Sequence, residues 1–217
     1  VCSSDLYSVM TTSVPDMKPE SNPRYQRDEI GIGYLFADYY REIARYSPER
    51  KKWFVYDGSV WRPGVGNLKV SEMAKRLADE MYMHALNIRE EDTRKRYIAR
   101  VMKLQLRRNR ETMLKDAMSV YPITMATFDR DPFLFNCKNG TLDLRTGSFR
   151  EHNPLDFHTK ISNAVYDPEA SCPRWIRFVD EVTSGDKEEG RYLQKALGYS
   201  LSGDTRLECF FILYGAT

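Results

Sequence analysis

Long hydrophobic runs, paired cysteines and a surplus of one charge are all scarce in this 217-residue sequence. The longest uninterrupted apolar run, Cys209 to Tyr214, falls far short of the roughly 20 residues a membrane-spanning helix needs. No basic-then-apolar leader opens the chain, so the expectation is a cytoplasmic protein with no membrane partner. The 4 cysteines, Cys2, Cys137, Cys172 and Cys209, form no CxxC pair, and the 3 histidines, His84, His152 and His158, are not at helical ligand spacing. Reduced thiols fit this pattern better than a zinc site assembled from Cys137, His152, His158 and Cys172. With 33 Lys and Arg against 31 Asp and Glu, the net charge is +2, so any electrostatic signal has to be local.

What is present is enough for real cores: 41% of residues are hydrophobic and 12% aromatic, in a length that suits one large domain or two smaller ones. Residues 1–27 read as a disordered or artefactual tail. The opening "VCSSDL", Val1 to Leu6, resembles a common sequencing adapter translated in frame, and the remainder is rich in Ser, Thr and Pro, with Pro15, Pro19 and Pro23.

Residues 28–120 read as a helical domain with a small β-hairpin. In "DEIGIGYLFADYYREIARY", Ile32, Leu35, Phe36, Tyr39, Tyr40 and Ile43 recur at helical spacing behind Asp28 as N-cap. "KKWFVYDGSVWRP" sets two aromatic and β-branched runs on either side of Asp57-Gly58, a hairpin signal of the type I′ kind. Trp53 and Trp61 are read there as core or cross-strand packing, with a base-stacking platform as the alternative. A second helix, "KVSEMAKRLADEMYMHAL", starts at Ser71 and carries a Met73, Leu77, Met81 core stripe.

The third helical segment, "DTRKRYIARVMKLQLRRNRETMLKDAM", holds the sharpest charge signal. Arg94, Lys95, Arg96, Arg100, Lys103, Arg107, Arg108 and Arg110 follow one another with no acid between them. On one continuous helix Arg96, Arg100, Lys103, Arg107 and Arg110 fall within an arc of roughly 80°. Such a ridge suits phosphate neutralisation, and these five are the DNA-binding candidates. The competing expectation is a solvated face whose arginines pair with acids such as Glu90, Glu91 and Asp92.

Residues 121–217 read as a pre-ATPase α+β region. "FLFNCKNGTLDLRTGSFREH" gives a meander with turns at Asn139-Gly140 and Thr146-Gly147. Asp129, Asp131 and Asp143 read as turn and strand-capping residues, and no metal site is expected. Two helices follow, "CPRWIRFVDEV" and "DKEEGRYLQKALGYSL", the second capped by Asp186. The closing "CFFILYGAT" reads as a buried parallel strand running into a glycine, the first half of a phosphate-binding element. The expected class is therefore α+β: mainly helical with a hairpin, then mixed short strands and helices.

Three stretches, "FDRDPFLFNCKNGTLDLRTGSFREHNP", "AVYDPEASCPRWIRFVDEVTSGD" and "YLQKALGYSLSGDTRLECFFILYGAT", resemble the segment leading into the ATPase of phage and plasmid primase-helicases. These are related to the poxvirus primase-helicase and assigned to helicase superfamily 3. The resemblance implies that the last strand begins an AAA+-like ATPase domain and that Gly215 is the first glycine of a Walker A loop, GxxxxGK[ST]. The sequence stops at Thr217, so the expectation is an inactive leading fragment with no catalytic residue and no cofactor of its own. ATP and Mg²⁺ belong, on this resemblance, to a parent helicase forming a hexamer on single-stranded or forked DNA. The segment here is expected as its collar or DNA-loading region, self-associating with further copies. No primase catalytic pattern is visible. The alternative is a non-enzymatic nucleic-acid-binding or oligomer-assembly module.

Overall fold

Ser13 opens the first ordered element of the computed structural model, which describes residues 10, 12–64, 68–212 and 214. Its hydroxyl accepts from the Asp16 amide while the Asp16 carboxylate accepts from the Ser13 amide at 3.1 Å, a capping box for the short helix α1, Val14–Met17. Val14, Met17 and Tyr25 are buried, and α1 lies against the long helix α3, Leu68–Leu86. The tail expected over residues 1–27 is therefore packed from Ser13 onward. Average composition hid three well-spaced apolar anchors and a local cap. Val1 to Leu6 lie outside the described residues.

Helix α2, Asp28–Tyr39, buries Ile32, Leu35, Phe36 and Tyr39 and packs chiefly on α5, Arg107–Ala117. A Cβ at Gly33 would meet the Asp116 Cβ at 2.6 Å, so the missing side chain sets that approach. Asp28 is the first helical residue rather than the cap, and the N-cap position, Arg27, offers no side-chain hydrogen bond. The helix ends at Tyr39, earlier than its periodicity predicts, because the chain turns and pairs. β1, Ala44–Ser47, runs antiparallel to β2, Lys52–Tyr56, which runs antiparallel to β3, Trp61–Pro63. Tyr46 stands opposite Trp53 with ring centroids 5.6 Å apart, a cross-strand contact that a helix would forfeit.

The hairpin between β2 and β3 forms as expected, but with a longer loop. The Asp57 carboxylate accepts from the amides of Ser59 (3.1 Å) and Val60 (2.9 Å) and from Arg62 Nε (2.6 Å), and Gly58 sits at φ 101°. A side-chain-organised loop thus replaces the two-residue turn. Trp53 and Trp61 are 3% and 1% exposed, which removes the base-stacking alternative for both. Trp61 instead fastens the two halves of the chain. Its amide donates to the His158 carbonyl at 2.7 Å, its indole N–H to Pro154 at 2.8 Å, and its ring stacks on Phe157 at 5.5 Å.

Helix α3 starts at Leu68, ahead of Ser71, and buries Met73, Leu77 and Met81 as the stripe predicts. The Tyr40 hydroxyl donates to the Met73 carbonyl at 2.9 Å, tying α2 to α3. The boundary expected at residue 120 cuts through a continuous core, since Ile123, Phe128 and Phe157 pack against residues of α2, β2 and β3. A second antiparallel sheet, β4 (Leu134–Cys137), β5 (Gly140–Asp143) and β6 (Phe149–Arg150), follows in the predicted meander. Its first turn sits one residue earlier, at Lys138-Asn139.

Helices α6, Pro173–Val182, and α7, Lys187–Leu201, form where expected, with the Asp186 carboxylate accepting from the Glu188 and Glu189 amides at 2.8 and 3.1 Å. They pack on each other and leave Ile176, Phe178, Tyr192 and Leu201 exposed. The run expected as a buried parallel strand, Cys209 to Tyr214, takes no strand pairing at its described residues, and Phe210 is 81% exposed. A strand is defined by hydrogen bonds to a neighbour, and none runs beside it among the described residues. The chain is α+β, with seven α-helices and two three-stranded antiparallel sheets among the described residues. No helix among them is long and apolar enough to cross a membrane.

Candidate nucleic-acid interface

The basic run does not lie on one helix. It is divided between α4, Glu91–Lys103, and α5, Arg107–Ala117, by a corner at Leu104 to Leu106. Leu104 is buried and Leu106 turns extended (φ −79°, ψ 128°), so the chain changes direction with neither Gly nor Pro to mark it. The corner is held by side chains from the start of α5. Asn109 Nδ2 donates to the Lys103 carbonyl at 2.7 Å, and Arg110 Nη1 donates to the carbonyls of Leu104 and Gln105 at 2.5 and 2.8 Å. These bonds satisfy carbonyls that a helix C-terminus otherwise leaves open, and the arginine charge suits the negative end of the dipole. At the other end the Glu90 carboxylate caps α4, accepting from Asp92 (3.0 Å) and Thr93 (2.7 Å) amides, and hydrogen bonding from the Thr93 side chain first, then from its amide, holds the carboxyl below the usual range.

The five ridge candidates consequently separate. Arg100 turns inward: its Nη2 donates to the Tyr25 carbonyl and, at 3.1 Å, to the Asp28 carbonyl. Burial lowers its guanidinium below the ordinary value, and its Nε is buried with no partner among the described residues. Arg110 is the corner staple. Arg107 is exposed but paired with Glu111 at 2.7 Å. Arg96 and Lys103 remain on the surface. Among the described residues Arg96 donates to Thr93 Oγ1 at 3.1 Å and to the Asp92 carbonyl at 3.4 Å and acts through space on Glu90, and Lys103 makes no ion pair. Of the upstream acids expected as partners, Glu91 pairs with Lys95 at 2.6 Å and Glu90 feels the Arg96 charge, among the described residues.

Arg108, left off the ridge by the single-helix projection, is exposed and without an ion pair among the described residues. Its charge was visible in the sequence; its direction depended on the corner. Between the corner and the start of α2 lies a cleft of about 650 Å³, lined in part by Arg27, Asp28, Arg100, Lys103 and Asn109. Arg27 and Lys103, both exposed and without an ion pair among the described residues, are the cations of its lining that meet solvent.

No group of three or more His, Cys, Asp or Glu side chains gathers to hold a metal among the described residues. Cys137 is buried as a free thiol, and Cys172 is free and exposed. Gly215, the expected Walker A glycine, lies outside the described residues.

A family model described as D5 N terminal like matches residues 33–184, from within α2 through α6. The chain belongs to this family. Membership identifies it as a primase-helicase N-terminal-like region, the coarser part of what the resemblance implied. The D5 N-terminal-like match takes in both sheets, the α4–α5 corner and Arg96, Lys103, Arg107 and Arg108. The chain matches no curated protein.

Proposed function

We propose that this chain is the DNA-contacting N-terminal region of a phage or plasmid primase-helicase of superfamily 3, acting in the cytoplasm of a bacterial host. The α4–α5 surface meets the phosphate backbone of single-stranded or forked DNA, and ATP and Mg²⁺ are used elsewhere, in the ATPase of the parent protein. One observation carries this reading within the family: Arg96 and Lys103 on α4 and Arg108 at the start of α5 stand exposed without an ion pair among the described residues, Arg96 feeling only the capping Glu90 through space. Like charges so placed repel unless an anion joins them, and phosphate binding releases condensed counterions in return. The test is fluorescence anisotropy with a labelled single strand and a labelled fork. Arg96→Gln/Lys103→Gln/Arg108→Gln is expected to bind at least tenfold more weakly at about 100 mM salt, by loss of roughly three phosphate contacts. Equal affinity of a folded triple variant contradicts the reading.

A second role is supported by a different observation. The exposed Ile176, Phe178, Tyr192 and Leu201 of α6 and α7 form apolar surface that suits contact with further copies, in keeping with a ring-forming parent, hexameric by resemblance. Sedimentation at rising concentration is expected to show self-association, and Ile176→Asp/Phe178→Asp to suppress it.

A further inference from the structure

We propose that Arg41 and Arg45, held against the ring of Tyr121, form a second site for a phosphate group, supplied by the nucleic-acid backbone and separate from the α4–α5 surface. The guanidinium carbon of Arg41 lies 4.7 Å from the Tyr121 ring centroid and that of Arg45 lies 5.3 Å from it, so one phenol carries two cations. Neither forms an ion pair among the described residues. The carboxylate bonded to this ring is already engaged. Asp38 accepts from the Tyr121 hydroxyl at 2.7 Å, from Arg24 Nε at 2.6 Å and from the Tyr25 hydroxyl at 3.0 Å.

Arg45 is the more constrained of the two. It projects from β1 half-buried, its Nε is buried with no hydrogen-bond partner among the described residues, and desolvation followed by the Arg41 charge lowers its guanidinium below the ordinary value. Arg41, just past α2, is exposed and gives the pair its opening to solvent. Two planar forks held at one aromatic ring, near enough for the Arg41 charge to act on Arg45 and without a counter-charge among the described residues, match an oxyanion that can accept from both at once. A phosphodiester has the two free oxygens this needs, and the ring limits the rotamers the arginines would otherwise lose on binding. Tyr121 is in turn held by Asp38, so the receptor is built before the ligand arrives.

The test is the salt dependence of binding to a dye-labelled single strand of about 20 thymidines, with a parallel thermal-shift titration of inorganic pyrophosphate. Each phosphate contact on a single strand contributes about 0.7 to the slope of log K against log salt. Arg41→Gln is expected to keep its melting temperature and lose about 0.7 of slope. Arg41→Gln/Arg45→Gln is expected to lose about 1.4 and bind about tenfold more weakly at 100 mM salt. Arg41→Lys/Arg45→Lys keeps the slope but binds more weakly, because the forks are gone. An unchanged slope in folded Arg41→Gln overturns the proposal, as does the absence of any binding of oligonucleotide and pyrophosphate by the wild-type chain. Pyrophosphate binding lost in Arg41→Gln, with the oligonucleotide unaffected, keeps the phosphate chemistry and overturns its nucleic-acid source. Loss of slope here with no effect of Lys103→Gln/Arg108→Gln leaves this site standing and removes the α4–α5 reading. The reverse pattern removes this site alone.

Discussion

Arg100 Nη2 donates to the backbone carbonyl of Asp28 at 3.1 Å, fastening α4 to the entry of α2. The same nitrogen also donates to the carbonyl of Tyr25, and a Cβ at Gly31 would overlap that carbonyl, so the loop before α2 is pinned from two sides. A residue that the sequence places on a basic ridge is thus an internal clamp. Replacing it is expected to act on folding: Arg100→Ala should lower stability by about 2 kcal/mol, the loss of charge-assisted hydrogen bonds. For a chain of this length that corresponds to a fall of about 4–8 °C in Tm. Oligonucleotide affinity of the folded variant should match wild type. A Tm unchanged within a degree, together with weakened DNA binding, would return Arg100 to the surface.

Asp38 gathers Arg24, Tyr25 and Tyr121 onto one carboxylate. Burial acts to raise its pKa, but hydrogen bonds from Arg24, Tyr121 and Tyr25 outweigh it and hold the carboxyl below the usual range. A depressed carboxylate stabilises the fold fully above its unfolded value and loses that contribution as pH falls through the folded one. Asp38→Asn is therefore expected to lower the urea midpoint at pH 7, by about 1.5–3 kcal/mol in stability. The gap to wild type should shrink towards pH 3.

His158, whose carbonyl accepts from the Trp61 amide at 2.7 Å, is a second group that responds to pH. It is buried; desolvation lowers its pKa most, with Asp156 and Asp129 pulling it upward and Arg150 and His152 pulling it down. The folded state holds the ring neutral, so its contribution is whole above the ordinary value near 6.5 and is lost as pH falls from there through the folded pKa. Urea denaturation between pH 7.5 and 5 should show a decline of at most about 1.4 kcal/mol per pH unit from this group. His158→Gln should flatten that part of the profile, and an unchanged profile would place the proton uptake elsewhere.

Much of the fold was legible because local chemistry and tertiary packing agree. The Met73, Leu77, Met81 stripe, the second meander and the Asp186 cap each appear where spacing or a capping residue puts them. Sequence reading failed where a distant partner decides. β1 exists because Tyr46 meets Trp53, and residues 13–25 are ordered because Val14, Met17 and Tyr25 find the core. The α4–α5 corner depends on Arg110 and Asn109 reaching back to carbonyls, a role that helical projection assigns to no residue. The Arg41, Arg45 and Tyr121 cluster joins residues far apart in the chain and has no signature along it.

Trp53 and Trp61 test the core assignment against the nucleic-acid one. Both are buried, and Trp61 bonds Pro154 across the chain. Trp61→Ala is expected to cost about 3–5 kcal/mol, as large-to-small core changes do. Chemical denaturation measures that cost, and a loss under about 1 kcal/mol would contradict the packing role.

The salt dependence of single-strand binding separates an α4–α5 surface that contacts phosphate from one that is merely solvated. Comparing wild type with Arg96→Gln/Lys103→Gln/Arg108→Gln between about 50 and 200 mM salt, the account predicts a slope smaller by about 2 in the variant, three contacts at roughly 0.7 each. Parallel lines for the two folded proteins would contradict it and leave the α4–α5 cations as a solvated face.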